Sequence, residues 1–229
     1  MGYLTSLACR NMALQGAQRV LQTTTPSDGS LAELDQSLAQ CDRLDGLRSA
    51  LLGERAYGSS AFEEMTSTAP VYALPLTLTL RQGRLHHFEF LTDVADAPSY
   101  RAAVALLDAE KGSSHPLHAM TRLTAPAVSA AWQAACRNAA TLRALRILTA
   151  VERKKLDPAK EFRLADLGLP DDALRDPFDD APLRVRWKTG DVVVYSIGTD
   201  LVDDGGDIDK EKDVGLRRPQ AAPKPARSK

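Results

Sequence analysis

The chain has 229 residues, of which 44% are hydrophobic and 26% charged, a composition typical of folded globular proteins and not of disordered ones. Its formal net charge is −1, so no overall positive field attracts nucleic acid or an anionic membrane surface. Aromatic residues make up only 5% of the chain, while Ala and Leu recur throughout, which favours packed helices over a β-sandwich. No stretch reaches the ~18 apolar residues of a transmembrane helix, so we predict no membrane span in this chain.

Apolar residues recur at helical spacing through the first two thirds of the chain. The first helix is predicted to end near Gln22, before a polar segment that contains Pro and Gly. Ser30 and Glu33 have the S-x-x-E spacing of a capping box, which predicts the start of the second helix at this point. Further helical patterns cover residues 44–65 and 98–111.

The segment 74–91 fits two patterns. Leu76, Leu78 and Leu80 alternate as in a strand, but the segment also fits a helix, and we favour a helix from about residue 76. The strongest helical periodicity follows and continues to about Arg153, which predicts a long helix at the centre of the protein. Its apolar positions are Val128, Trp132, Ala135, Ala139, Leu142, Leu145 and Leu148.

The C-terminal part of the chain has a different pattern. Leu183, Val185 and Trp187 alternate with charged residues as on a half-buried strand, and a turn at 189–191 leads into a β-branched second strand at 192–197. The fold class predicted from these patterns is mainly α. It comprises an N-terminal multi-helix region at 1–157, a small α+β module with a C-terminal β-hairpin and acidic loop at 158–215, and a disordered tail at 216–229.

Several stretches of this module resemble a known family. They are Asp176-Pro177-Phe178, Pro182-Leu183-Arg184-Val185-Arg186, Val194-Tyr195-Ser196-Ile197-Gly198-Thr199-Asp200 and Asp203-Asp204-Gly205-Gly206-Asp207. The order resembles the C-terminal part of type II secretion major pseudopilins, where D-P-W-G-x-P-Y precedes a strand and an S-x-G-x-D-G loop. In that family the loop binds calcium, and the resemblance places Asp213 at the position of an Asp near the loop's end.

More of the chain resembles uncharacterised bacterial membrane-anchored proteins that join a helical N-terminal region to the same C-terminal module. The similar stretches are Leu51-Leu52-Gly53-Glu54-Arg55-Ala56, His115-Pro116-Leu117 and the long helix before residue 153. This resemblance implies a layout but no activity. It also leads us to expect a soluble portion of a longer, anchored protein or an unanchored member. Because a long helical region precedes the module, we do not expect polymerisation as a major pseudopilin.

Seven acidic residues lie between positions 200 and 213. Their charges repel one another unless a cation is present, and calcium prefers six to eight oxygen ligands in a flexible loop. The order of residues is not that of an EF-hand, and a solvated acidic turn is the alternative. Together with the resemblance, this charge density predicts that the loop binds calcium as a cofactor. The backbone carbonyl of Ile197 or Val202 is predicted as an additional ligand. The predicted side-chain ligands are Asp200, Asp203, Asp207 and Asp213.

The remaining candidate residues carry weaker patterns. His86 and His87 are adjacent and His115 and His118 are three apart, but no E-x-x-H or H-E-x-x-H motif is present. We therefore predict surface or helix-end histidines. The cysteines form no C-x-x-C pair, and we predict buried free thiols at Cys9, Cys41 and Cys136.

The leading functional prediction is a non-enzymatic, extracytoplasmic structural or interaction protein of the periplasm or cell envelope, with a calcium-stabilised loop and a link to secretion. We expect protein partners and no nucleic acid, and a longer form could be anchored in a membrane. One alternative is an enzyme with a site in the helical region, assembled from Glu54, Arg55, His86 and His115. The other is a cytoplasmic helical scaffold without metal, which the unpaired cysteines favour.

Overall fold

A computed structural model describes residues 2–24, 26–42, 45–67, 74–156, 161–188, 191–210 and 212–219. The described part is mainly helical with a small antiparallel sheet near the C-terminal end, which confirms the predicted fold class. Its helices and strands are α1 (Gly2–Thr23), α2 (Asp28–Cys41), α3 (Asp45–Ser67), α4 (Leu74–Ala95), α5 (Tyr100–Gly112), α6 (Ala119–Arg153), the one-turn α7 (Asp171–Leu174), β1 (Arg184–Lys188), β2 (Asp191–Ser196) and β3 (Val214–Pro219). Among these helices, none combines the length and apolar character needed to cross a membrane.

The helix starts follow local side-chain chemistry. The predicted capping box at Ser30 is wrong, because Ser27 caps α2 instead, with its hydroxyl accepting the Ser30 N–H at 3.2 Å. Starting the helix earlier also places Asp28 in the first turn, where a negative charge complements the helix dipole. The ambiguous segment after residue 74 is helical, as predicted.

Contacts divide the chain into two compact units. The first contains residues 1–4 and 44–135, and the second contains residues 5–43 and 136–229. The boundary predicted at residue 157 falls inside the second unit. There the sheet shares one hydrophobic core with parts of α1, α2 and α6.

The core of the second unit is built from apolar helix faces and the strands. Each apolar position predicted along the long helix is buried, as the periodicity requires. Ion pairs join α6 to the α2 segment, since Arg146 Nε lies 2.9 Å from Asp35 Oδ1 and Arg143 Nε lies 3.0 Å from Asp42 Oδ1. Core members from each element are Leu14, Leu38, Leu145, Val151, Val192, Val194 and Leu216.

The sheet has the order β1-β2-β3, with both pairs antiparallel. The prediction of a disordered tail from residue 216 is wrong for 216–219, which belong to β3 and pair with β2. Pairing satisfies the backbone groups of β2, and Leu216 is buried, so this short segment does have something to bury. Residues 220–229 and the predicted turn residues 189–190 lie outside the described residues.

In the first unit, α4 packs against α3, α5 and the 3₁₀ turn Pro116–His118. Two glycines of the unit allow close packing. A Cβ at Gly58 would lie 3.6 Å from the Phe88 ring, and one at Gly83 would lie 3.1 Å from the carbonyl oxygen of Leu117. The second contact is tighter than ordinary van der Waals packing, so Gly83 lets the 3₁₀ turn approach α4.

Candidate functional site

The Asp176 side chain links the Asp-Pro-Phe motif to β1 and β2, the two strands that precede the acidic loop. Its Oδ1 accepts hydrogen bonds from the Phe178 N–H at 2.9 Å and the Ser196 hydroxyl at 2.7 Å. Its Oδ2 accepts the Ile197 N–H at 3.1 Å and Arg184 Nη1 at 2.8 Å. Burial raises the pKa of this carboxyl more than the hydrogen bonds lower it. Asp176 therefore fixes Ser196 and Ile197, the residues that immediately precede the acidic loop.

The loop after β2 is built from tight turns. Gly198, Gly205 and Gly206 have φ values of +72°, +70° and +77°, in the left-handed region that favours glycine. Leu201 has φ +59°, which is costly for a residue with a side chain. A Cβ at Gly206 would lie 3.0 Å from the ring of Tyr195, so the loop lies directly on that ring.

Asp213 closes the loop from the β3 side and is only 2% exposed. Its Oδ2 accepts the N–H groups of Gly206 at 2.7 Å and Asp207 at 3.1 Å. Its Oδ1 is buried and has no hydrogen-bond partner among the described residues. Burial raises the pKa of this carboxyl, although the nearby amides of Gly206, Asp207 and Asp204 lower it.

The other predicted ligands have partners within the loop. Asp203 Oδ1 accepts the Tyr195 hydroxyl at 3.1 Å, and burial together with this carboxylate raises the pKa of Tyr195 to about 12. Asp200 Oδ1 accepts the Val202 N–H at 3.1 Å. Among the described residues, no three loop acids place one carboxylate oxygen each within 4.8 Å of one another. Asp203 and Asp213 thus lie at the same turn of the loop, whereas the Asp200 side chain is exposed.

Basic side chains around the loop offset part of its negative charge. Lys212 Nζ lies 2.9 Å from Asp204 Oδ1, and Lys210 Nζ lies 3.4 Å from Asp207 Oδ2. Arg217 Nη2, on β3, lies 2.7 Å from an oxygen of Asp209. Counting acids along the sequence missed this compensation, because the cations come from the loop itself and from the strand after it.

A second cluster of polar side chains lies in the first unit. His86 Nε2 on α4 lies 3.1 Å from Glu110 Oε1 on α5, and His118 Nδ1 lies 2.9 Å from Glu110 Oε2. The centroids of the two imidazole rings are 3.8 Å apart. The interpretation as helix-end histidines holds for His115, whose Nδ1 accepts the Leu117 N–H at 3.2 Å. His118 also lies at the end of the 3₁₀ turn, whereas His86 lies inside α4, and these two histidines share the Glu110 carboxylate.

Glu110 is the residue of this cluster that the sequence analysis missed, and His118 was named there without a partner. His86 and Glu110 are 24 positions apart, and Glu110 and His118 are 8 apart, so no short motif contains them. Cys9 and Cys41 are also placed differently from the prediction: both are exposed, and only Cys136 is buried. Burial raises the pKa of the Cys136 thiol to about 12, so this thiol is unreactive at neutral pH.

The first unit also contains an apolar cavity of about 510 Å³ between residues of α3, α4 and α6. Glu54 lines it, but Arg55, His86 and His115 do not. Arg55 Nη1 instead donates to the Thr92 hydroxyl at 3.0 Å. The four residues suggested for an enzyme site are thus not joined by this cavity.

Comparison with protein-family models, curated protein sequences and solved structures finds no match to this chain. The similarity to pseudopilins and to the anchored bacterial proteins is therefore a resemblance of motifs alone.

Proposed function

We propose that this protein is a non-enzymatic, extracytoplasmic structural or interaction protein whose C-terminal loop is ordered by calcium. The observation that carries the proposal is the Asp213 carboxylate, buried at 2% exposure with an Oδ1 that has no hydrogen-bond partner among the described residues. A buried carboxylate oxygen without a partner is costly unless it is protonated or meets a cation. A bound cation favours the ionised form.

The chemistry of the loop fits calcium better than a softer metal. Calcium takes oxygen ligands in flexible geometry, and the loop offers carboxylates and backbone carbonyls. Asp213 would supply the buried oxygen, with Asp200, Asp203 and Asp207 as the other side-chain candidates. Asp203 already faces the same turn as Asp213, through its hydrogen bonds from Tyr195 and the Gly205 N–H.

The proposed ion would act on folding. Asp213 immediately precedes β3, and its Oδ2 holds the amides of Gly206 and Asp207. An ion bound to its other oxygen would tie the loop to the start of β3, so metal binding would contribute to the stability of the sheet. Extracellular calcium modules work at dissociation constants of roughly 10⁻⁴–10⁻³ M, which matches an extracytoplasmic setting. The secretion link and the protein partners rest on the resemblance to pseudopilins.

The test is thermal unfolding of the full chain with calcium and with chelator. At about 100 times its dissociation constant, a ligand specific for the folded state adds about 2.7 kcal/mol to the free energy of unfolding. We expect this shift for the parent protein and its loss in Asp213→Asn, with weaker shifts for Asp200→Ala and Asp207→Ala.

Asp209→Asn is the matched control, because Asp209 is an exposed loop acid that faces Arg217. It should keep the calcium shift. If the parent shows no shift, or if Asp213→Asn responds as the parent does, the calcium proposal fails. The compensated charges of the loop would then favour the metal-free scaffold.

A further inference from the structure

We propose that His86, Glu110 and His118 form a binding site for one first-row divalent transition metal ion, with zinc as the representative. These three residues each place one ligand atom within 4.8 Å of the others, and they are the only such group of His, Cys, Asp or Glu among the described residues. This proposal does not depend on calcium binding by the acidic loop.

The donor set selects the class of metal. Two imidazole nitrogens and one carboxylate oxygen suit zinc, copper, iron or nickel, whereas calcium and magnesium prefer oxygen ligands alone. Three protein ligands leave at least one coordination position for water, as in catalytic zinc sites. The site is therefore expected to discriminate against calcium, even at concentrations that would fill the loop.

The distances are close to those that a bound ion requires. Zinc bonds of about 2.0–2.1 Å in tetrahedral geometry separate the ligand atoms by roughly 3.3 Å. In the structure, the Glu110 oxygens lie 3.1 Å from His86 Nε2 and 2.9 Å from His118 Nδ1. These two separations, one to each carboxylate oxygen, are slightly shorter than a bound zinc ion requires, and the two histidine nitrogens lie within 4.8 Å of each other.

Proton positions change when the metal binds. In the metal-free protein, Glu110 accepts hydrogen bonds from His86 Nε2 and His118 Nδ1. A metal needs the lone pairs of the same two nitrogens, so each neutral ring carries its proton on the other nitrogen. Metal and protons compete for these atoms, and binding should weaken on acidification.

The surrounding fold holds the three ligands in place. The side chain of Glu110 is only 13% exposed and lies between the two histidines, whose side chains are 28% and 26% exposed. Gly83 lets the 3₁₀ turn that ends at His118 approach α4. Arg122, near the start of α6, donates to the carbonyl of Ser113, the C-cap of the helix α5 that carries Glu110. The ligands are thus preorganised by three separate elements.

The experiment is isothermal titration of the full chain with Zn²⁺, together with visible absorption of the Co²⁺-loaded protein. Because Cys9 and Cys41 are exposed and thiolates bind zinc, all proteins carry Cys9→Ser and Cys41→Ser. We expect one equivalent of Zn²⁺ to bind, and His86→Gln, Glu110→Gln and His118→Gln each to weaken binding at least about tenfold.

Two controls separate this site from other histidines and acids. His115→Asn removes a neighbouring imidazole but keeps an acceptor suited to the helix cap, and it should bind zinc as the parent does. Asp213→Asn should also leave zinc binding unchanged. Circular dichroism confirms that each variant is folded. The proposal is overturned if the parent binds no Zn²⁺, if the three ligand variants bind it as tightly as the parent, or if Asp213→Asn removes the binding.

Discussion

The acidic loop and the histidine cluster differ in how their polar groups come together. The loop carries seven acids within a short stretch of sequence, but its described carboxylates bind backbone amides, Tyr195 or neighbouring cations and do not converge. The cluster has one carboxylate and two imidazoles from distant positions, and these do converge. The number of ligands along a stretch of sequence therefore says less about a metal site than the distances between their ligand atoms in the fold.

The two regions also differ in what a metal would add. In the loop, one buried oxygen of Asp213 lacks a partner, so an ion would remove a cost that the metal-free fold bears. In the cluster, Glu110 already accepts a hydrogen bond from each histidine, so an ion would replace satisfied contacts. Either ion would stabilise the folded state according to how tightly it binds, but only calcium would also satisfy a buried group that has no partner among the described residues of the metal-free fold.

The largest effect is expected where the loop is anchored. Asp176→Ala should lower the free energy of unfolding by about 3 kcal/mol, because it leaves Arg184 and the partners at Ser196 and Ile197 without their buried acceptor. Chemical denaturation measures the change. Asp209→Ala is the control at an exposed ion pair and should stay within about 0.5 kcal/mol of the parent. Equal effects of the two variants would contradict the anchoring role.

The same carboxyl gives a pH dependence. Burial raises the pKa of Asp176 above its ordinary value of 3.8, so the folded protein holds this proton more tightly than the unfolded chain. Its contribution to stability is therefore greatest below the raised pKa and is lost as the pH rises through it. Relative to Asp176→Asn, the parent should therefore gain stability as the pH falls towards the ordinary carboxyl pKa of 3.8. Parallel pH profiles of the two proteins would show that the carboxyl does not titrate in this way.

The sequence predicts much of the fold and only part of either site. Helical periodicity identifies α6 because its apolar positions are buried, alternation identifies β1, and a run of β-branched residues identifies β2. These patterns miss β3, where Leu216 is the buried residue among the described side chains of a basic segment. The acidic loop is visible because its residues are neighbours in sequence. The histidine cluster is invisible because it depends on the packing of α4, α5 and the 3₁₀ turn.

An intermediate effect is expected at the glycine that lets those elements meet. A Cβ at Gly83 would lie 3.1 Å from the carbonyl oxygen of Leu117, so Gly83→Ala should displace the 3₁₀ turn and move His118 away from Glu110. We expect about tenfold weaker zinc binding, the lower end of what displaced supporting contacts cost. Zinc titration of the folded variant measures it.

The matched control is Gly53→Ala, in α3 of the same unit, where an added Cβ meets no atom within 4 Å. Removing a glycine from a helix interior should stabilise the fold by about 0.5–1 kcal/mol and leave zinc binding unchanged. If both glycine variants bind zinc as the parent does, the close approach at Gly83 does not position the site.

The smallest effect concerns the strained residue of the acidic loop. Leu201 has φ +59°, in the left-handed region that favours glycine. Left-handed backbone costs a residue with a Cβ about 1–2 kcal/mol, and the added freedom of an unfolded glycine offsets part of this. Leu201→Gly should therefore raise the free energy of unfolding by about 0.5 kcal/mol.

The control is Val202→Gly, at an exposed neighbour without positive φ, which should lower the free energy of unfolding by about 0.5–1 kcal/mol. Opposite signs at these adjacent positions would show that the left-handed backbone at Leu201, and not loop flexibility in general, determines how glycine changes stability here. If both variants lose stability, the contacts of the Leu201 side chain contribute more to stability than its left-handed backbone costs.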